Sequence, residues 1–405
     1  MPANAAQPIS RRRVEARVVA VYVTFWTAWL VFDHASGYGL GPATTTLVLL
    51  SFVSFWAGRM LPGRNTAVSL PLPLPLVHQR MTLLLRFVLL ANGVLLAAAM
   101  PSILSNGFEH RSLMFTDEGV FGHIGLTFLY NYAVQPLNYA AVVLAMVTRR
   151  EGARYERYAY LILAMMAVMA LGRFPIYFII YFYLVSHLIE ARPDRPRLGQ
   201  TLRVGAVVAV VVYASWLLLA SKLQEEGVDI DDLSTILRLY LLNYHVVGYH
   251  MLDYFIYAQD SRVIDYTYPT TSMGVIGWLL HLVSKYSGVL PLFPNSFKDV
   301  MEMFNEGIFL PELDWAYNAF TTSILPFYAD GGYIGVLLGY GLLGWVSTRG
   351  RRLQNQFVGP VFLMVCFVLT FSLFQPVVQA ELPLNLLFLS FCNQYLLRPE
   401  GRHGR

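Results

Sequence analysis

The sequence has little charge, few lysines and very little cysteine. Charged residues make up 13% of its 405 residues, whereas they form about a quarter of an ordinary soluble domain. Hydrophobic residues make up 56%, and the mean hydropathy is +0.50. This composition predicts an all-α polytopic membrane protein rather than a soluble one. The formal net charge is only +4, so no polyanion-binding surface is implied and no nucleic-acid partner is expected.

The small number of cysteines and the absence of several familiar motifs also exclude classes of protein. Cys366 and Cys392 both lie inside apolar runs, which predicts buried thiols and no disulfide framework. The sequence lacks a nucleotide-binding P-loop, a dinucleotide fingerprint and the ligand spacing of a zinc site. It also shows no convincing duplication of its apolar runs, which counts against many secondary-transporter folds. We therefore expect neither a metal nor another cofactor.

Apolar runs of bilayer-crossing length are what the sequence does contain. The run at residues 159–189 is too long for one span and has basic loops on both sides, so it is expected to cross twice. Its apex would be the polar break at Gly172 and Arg173. The first run has no small-residue cleavage site after it, which predicts a retained span. With this hairpin, ten spans are predicted, the other eight at about residues 18–33, 40–57, 81–100, 124–147, 203–221, 331–347, 356–374 and 383–397.

The distribution of basic residues predicts the orientation of these spans. With the N-terminus in the cytoplasm, most of the 29 Lys and Arg residues fall in cytoplasmic segments, as the positive-inside rule requires. Arg149, Arg195 and Arg351 would then face the cytoplasm. Residues 222–330 would form a large periplasmic loop between spans seven and eight. The prediction is a single integral membrane domain, residues 1–405, crossing the bacterial inner membrane many times.

Polar side chains in the outer loop are the first candidates for chemistry. Residues 233–259 read as a helix, and on a helical wheel four of its polar residues lie within about 80° of one another. His250 lies on a second polar edge. Either these residues share a cavity, or the helix lies at the membrane surface with its tyrosines at headgroup level and its polar edges in water. The four residues are Arg238, His245, Tyr249 and Asp253.

Two further helices are predicted in the same loop, followed by an aspartate at the start of span eight. The helices are expected at residues 272–286 and 296–306. Asp330 immediately precedes the span at 331–347, which predicts that it caps that helix. Gly331, Gly335 and Gly339 recur at every fourth position, a spacing that lets another helix approach closely.

Two stretches resemble a known family. The run NAFTTSILPFYADGGYIGVLLGYGLLG, residues 318–344, follows a large outer loop and opens a late span. It resembles the bacterial oligosaccharide repeat-unit polymerases, the Wzy-type O-antigen polymerases, in which an Asn- and Thr-rich stretch leads through a Tyr-Asp-Gly-Gly-like turn into a glycine-bearing helix. The run LGRFPIYFII, residues 171–180, is similar to the family's Gly/Ser-Arg element. Arg173 carries that match, whereas Phe174 and Pro175 depart from it.

The resemblance implies a membrane glycosyltransferase of the multi-span C type. Such an enzyme moves a growing glycan from its undecaprenyl diphosphate carrier onto an incoming lipid-linked repeat unit, on the periplasmic side of the inner membrane. Its partners would be polyprenyl-diphosphate-linked oligosaccharides, the lipid bilayer and a chain-length regulator.

The resemblance also implies roles for particular residues. Arginines pair with diphosphate oxygens bidentately, and a base must act near the acceptor hydroxyl. The predicted diphosphate- and sugar-binding residues are Arg173, Arg238, Arg262, Tyr249 and Asn318. The predicted catalytic residues are His245, His250, Asp253 and Asp330, with the choice of base left open.

Two other functions stay open at this point. An O-antigen ligase would use the same donor, but the family's ligases typically carry a His-Asn pair where this chain has Tyr317 and Asn318. A flippase or transporter of lipid-linked glycans would line a cavity with charges from many spans. Apart from Arg86, the predicted spans are nearly free of basic residues, so the polymerase is the preferred interpretation.

Overall fold

A computed structural model of the chain describes most of the predicted spans and part of the outer loop. The described part is helical apart from one short antiparallel hairpin, in which Ile308 pairs with Tyr317 and Leu310 with Trp315. The all-α prediction is therefore confirmed, with that hairpin as an addition. The structure describes residues 11–36, 39–61, 74–106, 121, 123–148, 154–170, 174–189, 244–260, 266, 271–272, 274–287, 308–310, 315–317, 322–349, 358–372 and 382–397.

Twelve α-helices and two strands are numbered here in chain order within the described residues. A π-helical turn, Tyr130–Val134, joins α4 to α5 without a break in the helical path. The elements are α1 Arg11–Ser36, α2 Pro42–Met60, α3 Leu74–Asn106, α4 Ile124–Leu129, α5 Gln135–Val147, α6 Arg154–Ala170, α7 Phe174–Ile189, α8 Tyr244–Asp260, α9 Val275–Ser287, β1 Ile308–Leu310, β2 Trp315–Tyr317, α10 Ile324–Ser347, α11 Pro360–Phe371 and α12 Leu382–Leu397.

Two of the described helices are long and apolar enough to cross a membrane. They are the stretches Arg13–Ala35 of α1 and Pro75–Asn106 of α3. Shorter apolar stretches, Pro175–Val185 and Pro360–Phe371, lie in α7 and α11. These helices are compatible with a membrane protein, and the full count of ten spans stays a prediction.

Most element boundaries agree with the apolar runs. The long run at residues 159–189 contains two helices, α6 ending at Ala170 and α7 beginning at Phe174, on either side of the predicted apex, whose residues lie outside the description. The run at 124–147 coincides with α4, the π-helical turn and α5. α3 extends beyond its run at both ends, with Pro75 in its first turn and Pro101 inside the helix. Proline is tolerated in a first turn, where its missing N–H has no intrahelical partner to lose. The predicted span at 203–221 lies outside the described residues.

The closest helix crossing joins α2 to α10. A Cβ on Gly58 would lie 1.9 Å from the carbonyl oxygen of Gly341, and a Cβ on Gly344 would lie 2.1 Å from that of Phe55. Backbone therefore meets backbone at this crossing, which only glycine allows. The prediction that glycines of this stretch permit close helix packing is confirmed, but the glycines at the crossing are Gly341 and Gly344 rather than the three that were predicted.

Aromatic rings and a few buried polar groups hold the rest of the bundle together. Rings of α7 and α11 pack on each other, including Tyr181 with Phe371 at a centroid distance of 5.9 Å. The indole of Trp26 in α1 donates a 2.8 Å hydrogen bond to the carbonyl of Leu369 in α11. Cys366 and Cys392 are both buried and unpaired, as the sequence predicted.

A partly buried ion pair lies at the end of the bundle where α1 begins and α2 ends. The guanidinium of Arg59 contacts the Glu15 carboxylate at 3.0 Å and donates to Ser347 Oγ at 3.1 Å. It also lies 4.6 Å from the ring centroid of Phe362. Because each partner compensates the other's charge, the pair ties α1, α2 and α10 together at this end.

Candidate functional site

The stretch with the family resemblance forms a helix that turns back on itself. α10 is interrupted at Gly331 and Gly332, whose backbone angles are not helical. Ser323 Oγ, ahead of the interruption, lies 2.5 Å from Tyr340 Oη, well beyond it. In a straight helix these residues would be about 25 Å apart. The short arm, residues 324–330, therefore runs back along the long arm, residues 333–347. The predicted span at 331–347 is the long arm alone, and the helix begins earlier than expected.

Glycines of the long arm make room for the short arm. The carbonyl oxygen of Phe327 lies 2.0 Å from where a Cβ on Gly335 would be, and the Phe327 ring occupies the corresponding place at Gly339. The Phe327 and Tyr340 rings are 5.5 Å apart between centroids. Gly335 and Gly339, predicted to receive another helix, thus receive the other arm of their own helix.

The reversal itself depends on Gly332. Its φ of +59° and ψ of −143° lie outside the conformations that residues with a side chain adopt readily. A Cβ there would also lie 2.8 Å from the hydroxyl of Tyr266. Gly331 has φ −171°, which is extended backbone, and nothing lies within 4 Å of its would-be Cβ.

Asp330 fixes the reversal to the outer loop. Its two carboxylate oxygens each accept a 2.9 Å hydrogen bond, one from the backbone N–H of Thr271 and one from that of Ser272. These donors belong to the turn that leads into α9. The N-cap prediction for Asp330 is wrong, because the residue is the last of the short arm and its carboxylate reaches across to another segment. It binds the loop to the helix at the point where α10 turns.

Helix α8 is packed within the bundle, not laid on the membrane surface. Val247, Leu252 and Phe255 have no exposed surface, whereas Tyr254 and Tyr257 are exposed. α8 contacts α1, α2 and α10. Apolar residues occur almost all round this helix, a pattern that fits burial better than an interfacial position. The helix at residues 272–286 is confirmed as α9, and the one at 296–306 lies outside the described residues.

Asp253 binds the start of α2. Its carboxylate accepts a 2.7 Å hydrogen bond from Thr44 Oγ1. It also lies against Gly41, where an added Cβ would come 2.5 Å from Oδ1. A negative charge at a helix N-terminus is favourable because the unpaired N–H groups there carry partial positive charge. These contacts give Asp253, predicted as catalytic, a structural task.

His250 forms a buried hydrogen bond with an aspartate that sequence reasoning missed. His250 Nε2 lies 2.7 Å from Asp33 Oδ1, and the side chains are 4% and 0% exposed. The neighbouring Tyr249 donates a 2.9 Å hydrogen bond from its hydroxyl to the carbonyl of Trp26. Both residues of α8 therefore contact α1. Tyr249 and Asp253 point to α1 and α2 respectively, so the shared cavity predicted for that helix face does not form between these two.

The pair leaves one carboxylate atom without a donor. Asp33 Oδ2 is buried, and no described group donates a hydrogen bond to it. A buried carboxylate oxygen without a donor is costly. Such atoms are often found where a protein binds a polar ligand. The sequence signal for Asp33 was present, since it is an acid near the end of a predicted span, but its partner lies 217 residues away.

Several predicted site residues lie outside the described part of the chain. These are Arg173, Arg238, Arg262 and Asn318, so the diphosphate clamp stays a prediction. His245 lies in α8, but its side chain is outside the description. No group of three or more His, Cys, Asp or Glu residues among the described positions has the geometry of a metal site. The absence of a cofactor likewise stays a prediction.

α8 links the described polar contacts at one end of the bundle. Asp33 lies in the last turn of α1, and Asp253 binds the first turn of α2, three residues along α8 from His250. Phe255 of α8 packs edge-on against Tyr328 of the short arm, at a centroid distance of 6.5 Å. This end is opposite to the Glu15–Arg59 pair and is the periplasmic end in the predicted topology. Comparison with protein-family models, curated proteins and solved structures found no significant match.

Proposed function

We propose that the chain is a membrane glycosyltransferase that joins lipid-diphosphate-linked oligosaccharide repeat units into a surface polysaccharide. In this proposal the chain crosses the inner membrane ten times and works at its periplasmic face. The acceptor hydroxyl attacks the anomeric carbon of the donor glycan, the bond to the diphosphate breaks, and the polyprenyl diphosphate leaves. Arginines 173, 238 and 262 are proposed to stabilise the departing charge.

The observation that carries the proposal is the stretch at residues 318–344. Its resemblance to the repeat-unit polymerases centres on Tyr328, Asp330, Gly331 and Gly332. In the structure the same residues make the reversal of α10 and its attachment to the loop before α9. A reversed, interrupted helix brings non-helical backbone to the outer end of a bundle. In membrane proteins such backbone is tolerated where it is buried in protein or lines a polar cavity, and it is frequent at substrate sites.

The position of the buried acid is a second support. Among the described residues, Asp33 and His250 form a buried hydrogen-bonded pair at the same end as the reversal. Ionisable groups buried in membrane helices are costly and usually serve a function. Glycosyl transfer needs a group that takes the acceptor's proton, and this end of the bundle can supply one.

The glycans of a strain from which the gene has been deleted test this function. A polymerase defect removes the polymer ladder but retains single repeat units on the cell surface. Loss of both the ladder and the single units would instead indicate a ligase or a flippase. An unchanged ladder would overturn the proposal. Re-expression of the wild-type chain provides the control and must restore the ladder.

A further inference from the structure

The buried pair between α1 and α8 has the features of a proton-accepting site. Asp33 presents one oxygen to His250 Nε2, and its other oxygen, Oδ2, receives no hydrogen bond from the described residues. The histidine contact restrains the orientation of the side chain. An oriented carboxylate with one oxygen that has no hydrogen-bond donor is an arrangement suited to a general base.

The location of Asp33 suits a substrate that arrives at the end of the bundle. Asp33 lies in the last turn of α1, and the two residues after it, His34 and Ala35, are exposed. The buried carboxylate is therefore followed directly in the chain by exposed residues at this end. Burial of the pair keeps bulk water from it, which disfavours hydrolysis of the donor.

The other carboxylates described at this end already have donors. Both oxygens of Asp330 accept backbone N–H groups, and Asp253 accepts the Thr44 hydroxyl at the start of α2. Each of those contacts fixes one segment to another. Of the three, Asp33 is the one with a fully buried carboxylate oxygen to which no described group donates.

We propose that Asp33 is the general base of the reaction and that His250 is its positioning residue. This inference rests on the proposed function. As the acceptor hydroxyl oxygen bonds to the anomeric carbon of the donor, its proton passes to Asp33 Oδ2. The electron pair of the broken carbon–oxygen bond leaves with the lipid diphosphate. The proton then passes from Asp33 to solvent, and the carboxylate is restored for the next addition.

The test uses the full-length protein in liposomes and single repeat units on their lipid carrier, extracted from the deletion strain. Asp33→Asn keeps the shape of the side chain and removes the base, so polymerisation should slow about 10²- to 10⁴-fold. His250→Gln keeps a donor for Asp33 Oδ1, so its rate should lie between those of Asp33→Asn and the wild type. Formate added to Asp33→Ala should restore part of the lost rate, an effect that a purely structural role of Asp33 would not produce.

Glu15→Gln is the matched control. Glu15 is another acid of α1 with a side-chain partner and is partly buried, but it lies at the opposite end of the helix. The polymerisation rate of the Glu15→Gln variant, corrected for the amount of folded protein, should stay close to that of the wild type. Size-exclusion profiles in detergent verify that each variant is folded.

Three outcomes decide the inference. A large rate reduction in the Asp33 variants with formate rescue, an intermediate rate for His250→Gln and a near wild-type rate for Glu15→Gln support it. Asp33→Asn with a wild-type rate contradicts it, and an inactive His250→Gln beside an active Asp33→Asn would make the histidine the base instead. If the wild-type protein extends no repeat units, the proposed function itself fails. That failure is distinguished from failure of the Asp33 inference because it is seen with the wild-type protein alone.

Discussion

Two adjacent glycines at the turn of α10 differ in whether their backbone and surroundings would accept a side chain. Gly332 has a positive φ and lies against the Tyr266 hydroxyl, whereas Gly331 is extended with open space beside it. We expect Gly332→Ala to lower stability by at least about 1–2 kcal/mol because of the left-handed backbone alone. Gly331→Ala, the matched control, should have a much smaller effect. Apparent Tm values of the purified proteins in detergent compare the two, and equal values would contradict the assigned backbone conformation.

Asp330 shows why a conservative substitution need not be neutral. The N-cap interpretation predicted that Asn would serve as well as Asp. In the structure both side-chain oxygens accept N–H groups, so an Asn must place its own NH₂ against one of those donors. We expect Asp330→Asn to cost about 1–3 kcal/mol, seen as a lower apparent Tm.

Ser272→Ala is the control for that prediction, since it keeps the backbone N–H that Asp330 binds. Its apparent Tm should be close to that of the wild type. An Asp330→Asn protein as stable as the wild type would mean that these two bonds contribute little. Inactivity of such a stable variant would then point to a chemical role for the carboxylate.

At the scale of elements, the crossing of α2 and α10 is the tightest contact described. Gly58→Ala or Gly344→Ala would insert a Cβ into backbone of the opposite helix, and overpacking of this kind costs about 1–3 kcal/mol. Gly93→Ala is the control, because this helical glycine has only the Met165 methyl group nearby, at 3.8 Å. It should be neutral or stabilising, as alanine favours helix. Apparent Tm values of the purified variants test this prediction. A Gly344→Ala protein with the Tm of the wild type would contradict the crossing geometry.

Sequence periodicity predicted the helices better than it predicted the tertiary contacts between them. The polar break at Gly172 and Arg173 predicted two helices in one apolar run, because a polar group inside a run is costly in lipid, and α6 and α7 are those two helices. The reversal of α10 was missed because residues 324–329, which precede Asp330 and the two glycines, were not predicted to form a helix. Hydrophobic periodicity and helix propensity do not indicate in which direction the chain continues after a pair of glycines.

The partners of polar side chains were the least predictable part of the site. His250 and Asp253 were selected as chemical candidates from their face on a helical wheel, but their partners, Asp33 and Thr44, lie more than 200 residues away in sequence. A helical wheel gives direction around one axis and nothing about the neighbouring helix. Asp33 becomes recognisable only when α8 is placed against α1.

For the molecule as a whole, the topology rests on the distribution of basic residues. We expect a cysteine introduced at Arg149 to react with a membrane-impermeant maleimide only after the cells are opened. A cysteine at Lys222 should react in intact cells. The native Cys366 and Cys392 are buried, so background labelling should be low, and the unsubstituted protein is the control. Labelling at position 149 from outside would contradict the ten-span layout.

The central claim is that this chain itself extends a lipid-linked glycan, and reconstitution tests it most directly. The purified protein is placed in liposomes with lipid-linked single repeat units from the deletion strain, without nucleotide sugars, and the products are separated by length. The account predicts a ladder whose steps equal one repeat unit and which requires the protein. Repeat units that stay single in the presence of folded wild-type protein would contradict it.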